Sequence, residues 1–137
     1  MAGSLSDYLK AKIEDYVLSK AAFTPAATLY VALYTTAPTS AGGGTEVSGT
    51  SYARVSVTNN ATNWPAATGT TTASKANGAA ITFPTAGGSW GTVAAFAVMD
   101  ADTAGNQYFW GELSSPQSVP SGVTLSFPIG NLTTTLV

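Results

Sequence analysis

Three acids around one turn, Asp100, Asp102 and Glu112, and a set of large aromatics are the residues whose types and spacing could do chemistry in this chain. Asp100-x-Asp102 with Gly105 has the opening spacing of a calcium loop, in which carboxylate oxygens at alternate positions surround a hard cation. The pattern then breaks, because Ala104 and Gly111 stand where an oxygen ligand and a bidentate Glu are required. Asp, Gly and Asn are also what a tight turn uses, since they hydrogen-bond the local backbone and tolerate positive φ. Turn chemistry is therefore the expected role, and no metal site is assigned. The same acids could supply the two carboxylates of a glycosidase. Three acids on one hairpin arise readily by chance, however, and no catalytic residue is assigned.

Trp64, Trp90 and Trp110, with Tyr52 and Tyr108, could form a platform on which a sugar stacks. Large aromatics bury roughly 150–250 Å² each, so core packing or subunit contact is the commoner use. Tyr30, Tyr34, Trp64, Trp90, Tyr108 and Trp110 are accordingly the candidate protein-interface residues. Asn60-Ala61-Thr62 and Asn131-Leu132-Thr133 match the N-glycosylation pattern but have no secretory signal to give it meaning. Gly42-Gly43-Gly44 lacks the following Lys-Ser/Thr of a phosphate loop and reads as a linker.

After residue 20 the only acidic or basic side chains are Glu46, Arg54, Lys75, Asp100, Asp102 and Glu112, and the chain has no His and no Cys. General acid–base, nucleophilic and metal chemistry draw mainly on those types, so the composition argues against an enzyme and implies no cofactor. A surface of Thr, Ser, Asn, Ala and Gly suits permanent contact with other subunits better than a solitary monomer does, and a homo-oligomer is expected. Hydrophobic residues make up 45 % of the 137 positions, which argues for a folded chain of one domain over residues 1–137. The net charge of -2 gives no attraction to phosphate backbones, so no nucleic-acid partner is expected. The longest apolar run, Val93 to Met99, is far short of the roughly 20 residues that span a bilayer, so no membrane partner is expected either. Residues 1–20 alternate charge with apolar side chains and do not read as a signal peptide.

The elements that must position these residues are one helix and a series of strands. Over residues 4–20, Leu5, Tyr8, Leu9, Ile13, Tyr16 and Val17 recur at three- and four-residue spacing and predict an amphipathic helix, with Ser4 and Asp7 as its capping pair. Residues 27–137 read as about seven short strands of an antiparallel, jelly-roll-like β-sandwich, so the fold class is mainly β. Residues 27–35 carry Leu29, Val31 and Leu33 on one face and Tyr30, Ala32 and Tyr34 on the other, a strand covered on both sides. Residues 92–99 form the most buried strand, whose Ala94, Ala95 and Ala97 permit close approach of a facing layer; residues 107–113 return as its hairpin partner. Residues 59–77 exceed the usual loop length and predict a functional projection or a partly disordered segment.

The succession ATLYVALYTTAPT, SYARVSVTNNATNWPAA, ITFPTAGGSWGTVAAFAVMDADTAGNQYFWGEL and SGVTLSFPIGNLTTTL resembles small tailed-bacteriophage virion proteins often labelled tail fibre-like. Its most specific parts are YARV, NNATNWPA, ITFPTA followed by SWGTV, and FWGEL, none of which reads as catalytic. The resemblance implies a virion structural protein, fibre-like or head-decorating as a minor capsid or cement subunit, that assembles with other virion proteins in the host cytoplasm. The expected oligomer is a homotrimer. The alternative is a tail-associated carbohydrate- or receptor-binding module in which Trp64 and Trp90 stack on sugar.

Overall fold

The computed structural model of the chain describes residues 2–136. Among them lie β1 (Ala2–Leu5), α1 (Asp7–Ser19), β2 (Thr28–Thr36), β3 (Thr45–Glu46), β4 (Val55–Thr58), β5 (Ala73–Ala76), β6 (Ile81–Thr82), β7 (Gly91–Met99), β8 (Gln107–Val119), β9 (Ser126–Phe127) and β10 (Thr133–Leu136). The fold is mainly β with one N-terminal helix, as the sequence implies, but its two sheets are very unequal. Eight strands form one mixed, mostly antiparallel sheet in the order β3-β2-β7-β8-β1-β10-β5, with β4 also on β2; β6 and β9 form the second.

The centre of the large sheet is the β2-β7-β8 block. β2 pairs antiparallel with β7 from Tyr30↔Met99 to Tyr34↔Ala95, and the other edge of β2 is divided between β4 and β3. Residues 31–34 of β2 and 95–99 of β7 are all buried, so apolar side chains are required on both faces. One face, with Leu29, Val31, Leu33, Phe96 and Val98, meets the main core; the opposite face carries a second cluster of Ala32, Tyr34, Ala95, Ala97 and Met99.

The Asp100–Asn106 link closes the β7–β8 hairpin by the turn chemistry its residues favour. Asp100 accepts from the Asn106 backbone N–H at 2.6 Å and from its side-chain amide at 2.8 Å, occupying both carboxylate oxygens. Gly105 sits at φ +79°, and a Cβ there would lie 2.5 Å from Asp100 Oδ1, so the turn needs glycine for both conformation and space.

The end of β1, Ser4 and Leu5, lies where helix was expected. The strand runs parallel to β10 and antiparallel to β8, and Gly3 passes so close that a Cβ would stand 3.0 Å from both the Trp110 carbonyl and the Phe96 ring. Helix α1 begins two residues later than the capping pair Ser4/Asp7 implied, because Ser6 is the N-cap and its hydroxyl accepts from Leu9 N–H at 3.1 Å. The Ser6 hydroxyl in turn donates to the Gln107 carbonyl, which ties the helix start to β8. Only the first turns pack on the body. Leu9 is buried and Tyr8 stacks on Tyr108 at 6.1 Å, whereas Tyr16 and Val17 of the expected stripe are exposed.

The small sheet is extended beyond β6–β9 by backbone bonds from Phe83 to Leu125 and from Ala86 to Val123. It brings Phe83 and Phe127 into edge contact at 6.2 Å, and Phe127 meets Phe96 of the large sheet at the same distance. Residues 59–77 do not project freely. Trp64 and Asn77 are buried, and β5 pairs with β10 over four rungs as an edge strand.

Candidate functional site

The six candidate aromatics separate into two environments. Trp64, Trp90 and Tyr108 are buried in the main core, at 8 %, 4 % and 5 % exposure, and part of their polar equipment is already used there. Trp90 donates to the Thr50 carbonyl at 2.9 Å, and the Tyr108 hydroxyl accepts from Ala26 N–H at 3.3 Å. Trp64 and Trp90 therefore offer no exposed platform for sugar stacking, and Tyr52, at the edge of Trp90 with ring centroids 5.3 Å apart, is a core neighbour as well.

Tyr30, Tyr34 and Trp110 instead come together on the opposite face of the large sheet. Residues on one antiparallel rung point to the same side. The rungs Tyr30↔Met99, Ala32↔Ala97, Tyr34↔Ala95 and Ala97↔Trp110 therefore assemble a floor of three alanines bordered by two tyrosines, a methionine and an indole. Tyr34 is buried at 6 % exposure; Tyr30 and Trp110 are half-buried and carry the accessible surface. Among the described residues, the further apolar side chain packed with this cluster is Ala37, just after β2. The three alanines are fully buried, closed over by the larger side chains of the cluster. Trp110 Nε1 is buried and makes no hydrogen bond in the subunit.

Beside this face lies a charged network that composition alone does not disclose. Arg54 grips Glu46 with Nε on Oε1 and Nη2 on Oε2, each at 2.8 Å, and its side chain is only 6 % exposed. Its Nη1 donates to the carbonyls of Ala101 and Ala104 at 2.7 and 2.9 Å, which anchors the β7–β8 turn to the segment entering β4. The Tyr52 hydroxyl donates to Glu46 Oε1 at 2.9 Å and accepts from Leu33 N–H at 3.0 Å. Opposite charges eight residues apart around a Gly49 turn, in a chain with so few ions, were the available sequence signal. The network holds structure; it has no open substrate position, and no group of three potential metal ligands occurs among the described residues.

Burial pushes the Tyr52 hydroxyl well above the ordinary tyrosine value of 10.0, and burial raises Tyr34 and Tyr108 in the same direction. Hydrogen bonding to Glu46 raises Arg54 further. A raised folded-state value means the protonated phenol is favoured in the fold, so its stabilisation is complete below pH 10 and declines as the unfolded tyrosine ionises above it. The urea midpoint is expected to fall progressively above about pH 10. Tyr52→Phe is expected to flatten that alkaline limb while lowering the midpoint at pH 7, because the Glu46 and Leu33 bonds are lost. An unchanged alkaline slope in Tyr52→Phe contradicts the assignment.

Several concavities mark the surface, among them one of about 410 Å³ between the start of α1, residues 40–43 and the β7–β8 turn, with Tyr34 and Met99 on its wall. A cleft of about 630 Å³ lies between residues 113–119 and 123–133, with no charged side chain on its walls. An apolar cavity of about 210 Å³ opens beneath the base of α1, with Lys75 on its rim. No helix among the described residues is long and apolar enough to cross a membrane.

Comparison with known families gives one broad match: a family described as podophage GP4 fiber I protein gp80 aligns with residues 4–135. No curated protein matches the chain.

Proposed function

This chain belongs to the podophage GP4 fiber I protein gp80 family, a family of phage tail fibre proteins, and on that premise we propose that it is a non-enzymatic structural subunit joined to other virion proteins through the sheet face of Tyr30, Tyr34 and Trp110. Family membership makes it a virion component. The observation that carries the interface is the half-buried pair Tyr30 and Trp110, which lie over the buried floor of Ala32, Ala95 and Ala97 and keep accessible surface there, with Trp110 Nε1 unpaired within the subunit. Interface centres are depleted in charge and enriched in Tyr, Trp and Met, and this face has that composition, with Glu46 and Glu112 at its border opposite Tyr34 and Ala95.

A fibre position, in preference to a head-decorating one, is supported by the family description. The oligomer proposed is a homotrimer, one of the closed cyclic arrangements open to identical chains. The sugar-binding alternative has no support from Trp64 and Trp90, because both indoles are buried.

Trp110→Glu tests the interface. The ring is half-buried at the subunit surface, so the variant is expected to keep its circular-dichroism spectrum yet be incorporated into particles at least tenfold less than the native chain, as for loss of an aromatic anchor. Trp110→Phe is expected to be incorporated normally. Equal incorporation of Trp110→Glu contradicts the proposal.

A further inference from the structure

Helix α1 leaves the body after its first turns. Tyr16, Val17 and Leu18 are exposed at 59 %, 66 % and 82 %, three consecutive large apolar side chains in water. Successive helical residues point about 100° apart, so these three spread over about 200° of the helix end and form a knob instead of a stripe. Leu18, the most exposed of the three, is the side chain free to enter a socket on another molecule, with Tyr16 and Val17 packing at its mouth.

The cavity beneath the base of α1 is such a socket. Phe23, Pro25, Leu29, Trp64 and Phe109 line it, and Lys75 stands at its rim. An apolar cavity of ~150 Å³ takes a benzene-sized group, so about 210 Å³ accommodates one leucine or tyrosine side chain. The helix cannot fill its own cavity. Leu9 forms part of the wall, and Leu18 lies nine residues, roughly 13 Å, further along the axis.

Charge also matches. Beyond residue 20 the chain has two cations; Arg54 is bound to Glu46, and Lys75 is exposed at the cavity with its ammonium on the Trp64 carbonyl at 3.2 Å. The knob is preceded by exposed Glu14 and Asp15, has no basic residue in the last turn, and ends on helix carbonyls at the negative end of the dipole; Lys20 follows at the C-cap.

We infer that the Tyr16–Leu18 end of α1 in one copy docks into the cavity beneath α1 of a second copy, apolar knob into apolar socket, with Glu14 and Asp15 facing the neighbour's Lys75. Knob and socket are different surfaces, so the contact is head-to-tail: it closes into a ring or propagates along a fibre. The socket opens on the main-core side of the large sheet, the side opposite Tyr30, Tyr34 and Trp110.

The test is the oligomeric state of the full chain by analytical ultracentrifugation over a concentration series. The native chain self-associates, and Leu18→Asp weakens association about a hundredfold, the loss of a buried anchor, with an unchanged unfolding transition because Leu18 is exposed. Lys75→Glu weakens it less, and combining Lys75→Glu with Asp15→Lys restores part of the loss. Chains carrying Leu18→Cys, mixed with chains carrying Asn59→Cys at the cavity wall, form mixed disulfides. A native chain that stays monomeric, or Leu18→Asp associating as the native chain does, overturns the docking. Trp110→Glu retains this self-association, so a loss there with none in Leu18→Asp overturns the docking while leaving the proposed function standing.

Discussion

Arg54→Ala is expected to cost about 3 kcal/mol, the lower end of the loss when one partner of a buried ion pair is removed, because the guanidinium is buried while Glu46 is partly exposed. The guanidinium joins three places: Glu46 on β3, its own backbone just before β4, and the Ala101 and Ala104 carbonyls of the β7–β8 turn. Its loss strands the Glu46 carboxylate, whose side chain is 27 % exposed, and two turn carbonyls at once. For a chain of this size the melting temperature should drop by roughly 10–20 °C. A control separates charge from shape. Arg54→Met combined with Glu46→Leu removes both ions together and is expected to recover most of the loss, since apolar replacements of a buried pair are often neutral or stabilising. Arg54→Ala melting within about 2 °C of the native chain would show that the pair is a weakly coupled surface contact, of the kind worth at most about 1 kcal/mol.

Asn77→Leu is expected to be the second large loss, about 3 kcal/mol, from orphaned groups and not from lost volume. The side chain is 2 % exposed. Its amide nitrogen donates to the carbonyls of Ala79 at 2.8 Å and Pro128 at 3.0 Å, with Phe127 at 3.4 Å, and its oxygen accepts from Leu132 N–H at 2.9 Å. One residue thereby fastens the link before β6 to the turn between β9 and β10. Asn77→Asp sharpens the point. The new carboxylate can still accept from Leu132, but it faces carbonyl oxygens where donors stood, which raises its folded-state pKa above the ordinary value. Its destabilisation should be greatest at neutral pH and lessen as pH falls and the acid gains a proton to donate. Chemical denaturation at pH 7 and pH 4 measures this; equal midpoints for Asn77→Asp and the native chain at pH 7 contradict the role.

Much of the central sheet was legible because its signals are local. Apolar residues on both faces of 27–35 marked a strand covered on two sides, and the Asp100–Asn106 composition marked the hairpin that joins β7 to β8. Ends and edges were not. Ala2–Leu5 is short, small-sided and continuous with a helical period, so only its pairing with Phe109, Trp110, Thr133 and Thr134 reveals a strand. Residues 59–77 read as a polar loop because the burial of Trp64 and Asn77 depends on partners far away in sequence. The aromatics show the same limit. Trp90 and Trp110 look alike as residue types, yet Trp90 finds the Thr50 carbonyl and the core while Trp110 lies half-open across Ala97. The exposed helix end breaks the expected stripe for a related reason: periodicity gives the face of a helix, but not how far the body extends beneath it.

The most direct test of the central claim is an electron-microscopic reconstruction of intact particles containing this chain. Density for the chain is expected in a tail fibre, with a neighbouring protein covering Tyr30 and Trp110. A reconstruction that places the chain on the head, or leaves that face open to solvent in the assembled particle, would contradict the account.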